Sequence, residues 1–476
     1  MICCPNRPCA GRQKKSFKPS PLDSQMRLVA FLLLSTASAG NNGLAVTPPM
    51  SWRSWNAFAY RISADTMRAA VRGLTDASRP IARRPAGTSL SALGYNSVGM
   101  DEGWAWCEPA PGFPPRGSMF HKMGADGSYS PLVNTTLFPD MGGLVAEVHA
   151  AGLQMGWYMN PCFSYCWELG DKCGDACTPG DVAAALAFNF DSVKIDGCST
   201  QHNTTLFRVG FNNSGKPILI ENCHDESNPV RPIAEGGCPD FHTYRASTDI
   251  RNTYGSWLQN AYSVQQYTDG RTGPTCWAYP DMLMIGVGPT CAGDTCAGAE
   301  PPPPTLTEQR THFGLWCILS SPLTLSFDFS NSTRVDEAWG VVTNVDALAV
   351  NQGWAGLPGG QLAQRSAENV TLQHCTPGWA GDKSCDVPVT QGWWKPLPGG
   401  ATALFLLNND PAAPRTARAD FAGVPGLGCA PSCAVFDVWA QAPAAAGATG
   451  FFEAALAPHD SAFVVLSDPA RPWAGA

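Results

Sequence analysis

The stretch FDSVKIDGC, residues 190–198, is a short apolar run that ends on Asp196-Gly197-Cys198. Runs of this length bounded by turn residues read as buried strands. Lys194 and Asp196 are two residues apart, so strand alternation points both side chains the same way. The pattern recurs in PPMSWRSW (48–55), YNSVGMDEGW (95–104), LQMGWYMN (153–160), PILIENC (217–223), FHTYRASTD (241–249), YPDMLMIG (279–286) and PLTLSFDF (322–329). The stretches between are long enough for helices, and MGGLVAEVHAAG (141–152) and TEQRTHFGLWCIL (307–319) have helical periodicity. Eight β-α repeats match the strand count and size of a TIM barrel, which places its chemistry where strands end and βα loops begin. A doubly wound open sheet needs the same alternation, but no Gly-rich phosphate-binding turn follows the first run. The fold class is therefore α/β, a (β/α)₈ barrel over residues 40–355.

Two stretches interrupt this rhythm and read as loops: TDASRPIARRPAGTS (75–89) and the proline-rich CAGDTCAGAEPPPP (291–304). After NVDALAVNQG (344–353) the texture changes to short strands such as VTLQHC, ATALFLLNN, CAVFDVWA and SAFVVLS, separated by Gly and Pro turns. Residues 356–476 are thus expected to form an antiparallel all-β sandwich.

Of the 476 residues, 44% are hydrophobic and 15% charged, so large cores can be filled and disorder is disfavoured. A net charge of −8 gives no electrostatic reason to bind nucleic acid. Met26-Arg27, then LVAFLLLSTASAG with its Ala37-Ser38-Ala39 site, has the layout of a secretory signal peptide and is too short for a stable membrane anchor. Residues 1–39 are therefore set aside as leader and signal. Their removal takes away Cys3, Cys4 and Cys9 and leaves 16 of the 19 cysteines, an even number that suits disulfides in an oxidising compartment. Sequons at Asn134, Asn203, Asn212, Asn331 and Asn369 agree with secretion to the cell exterior, wall or a vacuole-like compartment.

Cleaving a bond between sugars needs two carboxyl groups, one to attack or activate water and one to protonate the leaving oxygen. Strand ends supply them. Asp196 ends SVKI, Asp249 ends TYRAST with Arg245 earlier in the same strand, Asp101-Glu102 follow SVGM, and Asp281 stands in YPDM. Asp-Gly alone is also a turn signal, and Asp249 could be an ion-paired surface residue. Four such sites on one barrel mouth exceed what solvation requires.

The motifs TPPMSWRSWNAF, GYNSVGMDEGW, LFPDMGGLVAEVHAAGLQMGWY, VKIDGC, YRASTDI, PDMLMIG and THFGLWCILSSPL resemble, in order and spacing, those of glycoside hydrolase family 27, the α-galactosidases and α-N-acetylgalactosaminidases. The match spans roughly residues 43 to 355. The resemblance implies a retaining hydrolase releasing terminal α-linked D-galactose, with Asp196 as nucleophile and Asp249 as acid/base, their carboxyls about 5–5.5 Å apart. It calls for no cofactor and no metal. It implies that Asp101 grips axial-side hydroxyls, that Lys194 bonds sugar hydroxyls and keeps Asp196 ionised, and that Arg245 reaches the 2-position. Tyr158 would flank the nucleophile, Asp281 would neighbour the acid/base, and Trp55 would wall a sugar face; for the two aromatics core packing is the rival.

Departures from the family pattern are specific. Its Asp-Asp pair is here Asp101-Glu102, whose extra methylene alters reach. A disulfide common in the family has Tyr60 and Gly103 at its two places. The resemblance suggests that Cys198 pairs with Cys166, with Cys162 as rival, and that Cys223 reaches Cys238. At the end of the fifth strand, Glu221-Asn222-Cys223-His224 puts His224 at the place that discriminates the 2-substituent, which favours a plain hydroxyl over an acetamide. Tyr279 replaces an acidic residue two before Asp281. The alternatives are an α-N-acetylgalactosaminidase, a β-L-arabinopyranosidase, a barrel that binds carbohydrate without catalysis, and a disulfide-laced adhesion protein. The substrate class in every enzymatic reading is a galactose-like glycoside; the oligomeric state leaves no mark in the sequence.

Overall fold

The computed structural model describes residues 42–106, 108–109, 118–159, 173–197, 203–223, 230–288, 304–375, 383–444 and 447–476. Eight short strands form one parallel sheet: β1 (Met50–Arg53), β2 (Ser97–Gly99), β3 (Gln154–Met159), β4 (Ser192–Ile195), β5 (Leu219–Asn222), β6 (Thr243–Arg245), β7 (Trp277–Tyr279) and β8 (Leu323–Leu325). Their order is β7-β6-β5-β4-β3-β2-β1-β8, so β8 returns to pair with β1, with Met50 opposite Leu323. The amide of Leu283, beyond β7, donates to the carbonyl of Thr324 on β8 at 2.9 Å and brings the two ends of the path together. This is a (β/α)₈ barrel.

Helices form where the sequence carries both an apolar stripe and a start signal. The helix Met141–Ala150 begins on Asp140, whose side chain accepts from the Gly143 amide, and buries Met141, Leu144, Val145 and Val148. The helix Leu306–Ile318 begins with a capping box between Thr305 and Glu308. Of the loop expected over 75–89, Thr75 ends the helix Ala64–Thr75 and residues 76–89 carry no helix or strand; Arg79 reaches Asp336 and Arg83 reaches Asp346 from this loop. The second expected loop, 291–304, lies almost wholly outside the described residues.

One strand is displaced from its sequence reading. The run YPDMLMIG is not itself a strand: β7 is Trp277–Tyr279, just before it. Pro280 has no N–H for a ladder, and Asp281 follows with φ of 122°, which ends extended pairing. Residues 282–287 remain buried as irregular chain under the barrel end.

The second sheet contains β9 (Gly360–Arg365), β10 (Thr390–Pro396), β11 (Thr402–Asn408), β12 (Ser432–Asp437) and β13 (Ser461–Ser467). They pair antiparallel in the order β9-β10-β11-β13-β12. Period-two alternation along β11 explains why this sheet is buried on both sides. Ala403, Phe405 and Leu407 join the core that contains the barrel, while Leu404 and Leu406 join a separate core with Ala417 and Ala419 of the flanking strand Arg415–Asp420. Gly314 lets the helix Leu306–Ile318 lie directly on β11, since a Cβ there would come within 2.4 Å of the Phe405 ring. Lys395 of β10 is fully buried and donates to the carbonyls of Val350 and Asn351 at the end of the helix Val345–Gln352.

Disulfides join Cys173–Cys177, Cys238–Cys276, Cys375–Cys385 and Cys429–Cys433. The expected Cys223–Cys238 pairing is wrong: Cys223 is a buried free thiol. Cys223 follows β5 at the C-terminal end of the barrel, whereas Cys238 and Cys276 precede β6 and β7 at the opposite end and so meet each other. Cys162, Cys166 and Cys198 lie outside the described residues. The two places where a family disulfide is missing are in backbone contact, for a Cβ on Gly103, with φ of 113°, would stand 2.2 Å from the Tyr60 carbonyl oxygen.

Candidate active site

The parallel sheet delivers the C-terminal ends of all eight strands to one mouth. Asp196 follows β4 and is half-buried. One of its carboxylate oxygens accepts from the Tyr158 hydroxyl at 2.5 Å and the other from the Gly197 amide at 2.8 Å. Burial, then the charges of Asp196, Glu102 and Asp101, push the Tyr158 phenol well above its ordinary range, so it stays an O–H donor. Tyr158 is itself held on β3, where its carbonyl accepts from the Trp104 indole at 2.8 Å.

Lys194 points the same way as Asp196 but donates to Asp101 Oδ2 at 3.0 Å. Burial opposes its charge, yet Asp101 and Asp196 outweigh that and raise its pKa above the ordinary range. Asp101 and Glu102 are 2% and 1% exposed, and the Asp101 amide is tied to Ser54 Oγ at 2.9 Å. Trp55 opens the short helix that follows β1 and is half-buried at the mouth.

Across the mouth, Arg245 at the end of β6 donates to Asp249 Oδ1 at 2.6 Å and stands 3.6 Å from Asp281 Oδ2. The two carboxyls differ sharply in environment. The Asp249 side chain is 51% exposed, whereas that of Asp281 is 7% exposed and accepts from the amides of Ile250 and Met282. Burial pushes Asp281 up to about 6 against the pull of Arg245, with Asp249 adding to the rise.

Two residues in the mouth were not singled out from the sequence. Arg53 on β1 donates from Nη2 to Glu221 Oε2 on β5 at 2.6 Å, both side chains 10% exposed. Their signal was a charge inside an otherwise apolar strand, a combination that requires a partner. Tyr279 closes the same level, its phenol pushed well above the ordinary range by burial and by Glu221 and Asp281. His224 lies outside the described residues. Strand parity carries Cys223 to the inner face with Glu221, and the charges of Arg245, Asp196 and Lys194 reach its thiol, which burial keeps protonated. Among the described residues the candidate metal-ligand group is His121, Cys173 and Cys177, whose two sulfurs are joined in a disulfide.

A paired set of carboxyls with cations at the mouth of such a barrel is what hydrolysis of a glycoside requires. The family model for Alpha galactosidase A matches residues 47–353, and that for the Alpha galactosidase C-terminal beta sandwich domain matches residues 389–466. The chain belongs to the α-galactosidase family. This family member is 25% identical over 443 residues to an alpha-galactosidase of Oryza sativa, covering 90% of this chain and 87% of that one. It is 27% identical over 438 residues to alpha-galactosidase 3 of Arabidopsis thaliana, covering 90% and 83%. Among solved structures, alpha-galactosidase I from Mortierella vinacea superposes with a TM-score of 0.64 at 19% identity over 91% of this chain and all of that one. A β-L-arabinopyranosidase from Geobacillus stearothermophilus superposes with a TM-score of 0.66 at 17% identity, covering 89% and 97%. The α-galactosidase-family chain is thus a glycosidase built on a barrel and a β sandwich.

Proposed function

We propose that the protein releases terminal α-linked D-galactose from oligosaccharides or glycoconjugates with retention of configuration. The observation that carries this reading is the asymmetry of two carboxylates at the mouth: Asp196 held by Tyr158 and Gly197, and Asp249 half-exposed on Arg245. Asp196 attacks the anomeric carbon as the glycosidic C–O bond breaks, and protonated Asp249 gives its proton to the leaving oxygen. Asp249, now ionised, takes a proton from water, whose oxygen attacks the anomeric carbon and displaces Asp196. The Tyr158 hydroxyl and the Gly197 amide favour the ionised form of Asp196 and aim it, while Lys194 and Asp101 bind sugar hydroxyls as a pair. Arg245 holds Asp249 beside the anomeric centre and faces the 2-position.

The relatives of matching length support galactose as the glycone. Signal-like residues 1–39 support the secretory route, with 40–355 as the catalytic barrel and 356–476 as the β domain. Initial rates on p-nitrophenyl α-D-galactoside, α-N-acetylgalactosaminide and β-L-arabinopyranoside test the reading. Turnover of the galactoside well above the others is expected; preference for either of the others overturns the substrate, and folded protein inactive on all three overturns the mechanism.

A further inference from the structure

In the order β7-β6-β5-β4-β3-β2-β1-β8, the strands β1 and β5 face each other across the ring. The Arg53–Glu221 ion pair therefore crosses the barrel axis, at the level from which Asp101 and Lys194 project. Barrel interiors at this level are ordinarily filled by branched apolar side chains. Here a guanidinium is buried and only partly used. Nη2 is bonded to Glu221, but Nε and Nη1 have no hydrogen-bond partner among the described residues. Nη1 stands 3.9 Å from Asp101 Oδ2, too far for a direct bond, and that oxygen already accepts from Lys194 at 3.0 Å. An N–H left without a partner in a buried site costs stability, and a bound ligand is one way such a group is completed.

The separation of the two groups matches one bridging hydroxyl oxygen. Two atoms 3.9 Å apart can both lie about 2.8 Å from a third, which is hydrogen-bond distance to each. A sugar hydroxyl is both donor and acceptor, so it can give its proton to Asp101 and accept from Arg53 Nη1 at once, a pairing that a carboxylate, an ammonium or an apolar group cannot reproduce. We propose that Arg53 is a substrate-binding and specificity-determining residue, its Nη1 donating to the glycone hydroxyl that Asp101 accepts from, with Glu221 holding the guanidinium across the barrel. The inference rests on the reading of this mouth as a glycone site. It extends recognition to the floor of the pocket and makes the hydroxyl on the Asp101 side the one whose loss this enzyme tolerates least.

The test is a cycle between enzyme and substrate. Aryl α-D-galactoside and its 2-deoxy, 4-deoxy and 6-deoxy analogues are compared on wild type and on Arg53→Met/Glu221→Met, which replaces the pair by apolar side chains of similar length and leaves no lone charge. In the wild type, loss of the hydroxyl shared by Arg53 and Asp101, at position 4 or 6, lowers kcat/KM by about 10 to 100-fold. In the double variant that same deletion costs less than about 3-fold, while the 2-deoxy penalty stays at its wild-type size. Glu221→Gln, which keeps Arg53, retains most of the wild-type penalty for the shared hydroxyl. If Arg53 only neutralises Glu221, the double variant shows wild-type ratios for all three deoxy analogues, and the inference falls while the galactosidase reading stands. Folded wild type that neither turns over the galactoside nor binds galactose in calorimetry overturns both.

Discussion

At the barrel mouth Asp101, Glu102, Lys194, Glu221, Arg245 and Asp281 are each less than a tenth exposed. Where β11 lies on the helix Leu306–Ile318, an equally buried region is built from Phe405 and Phe463 against Gly314, with the Lys395 amine buried beside it. The junction gains by removing apolar surface from water, and its lysine is tied to the carbonyls at a helix end. The mouth does the opposite: it takes ions from water, which costs free energy, and recovers that cost through pairs such as Arg53–Glu221 and Lys194–Asp101. Stability resides in the junction and selectivity for a polar ligand in the mouth, so changes in the two regions should separate activity from stability.

The largest separation is expected from Asp196→Ala, which should lower kcat on the galactoside by about a thousand-fold or more while the melting temperature stays close to that of wild type. Loss of stability with activity per folded molecule intact would reverse the assignment of the two regions. Next, Phe405→Ala opens a void under Gly314 and should cost about 3–5 kcal/mol in denaturant unfolding, with kcat at 20 °C unchanged for the folded fraction.

A smaller effect sharpens the mouth by pH. The Asp281 carboxyl titrates at about 6 in the folded protein, above its ordinary value, so the folded state binds the extra proton between the two. Its contribution to stability is complete below the ordinary carboxylate range and is lost as the pH rises through about 6. Asp281→Asn should therefore lose on the order of 2–3 kcal/mol less than wild type between pH 4 and pH 7.5, read from unfolding at each pH. An identical pH slope in both proteins would remove Asp281 as a strained carboxyl. A titration at the alkaline end tests the junction in the same way. Burial lowers Lys395 to about 7, so the unfolded chain holds the proton that the folded one releases, and stability rises from there toward the ordinary lysine range. Lys395→Met should flatten that alkaline slope.

Much of the mouth was legible because strands alternate: Lys194 and Asp196 share a side by spacing alone, and Asp101, Arg245 and Asp249 mark strand ends through polar residues closing apolar runs. Asp281 was legible as an acid but not as a residue beyond its strand, because the buried run 282–287 has the composition of a strand and lacks only the ladder that Pro280 prevents. Arg53 and Glu221 stood in the same runs and were passed over, since nothing local says that strands one and five meet across the axis. Cys223 and Cys238 were expected to pair, but the length of a strand separates them in space.

By itself the sequence determined what is written in local periodicity: eight apolar strands with polar ends, the helices between them, the shift to a β sandwich, and the motifs of the family. Only the tertiary structure decided which side chains meet. It chose Cys276 as the partner of Cys238, Asp101 as the first acceptor of Lys194, and Glu221 as the partner of Arg53. The reason is that closing a sheet into a ring brings together residues 168 positions apart, and the alternation that orients a side chain carries no information about which strand lies opposite.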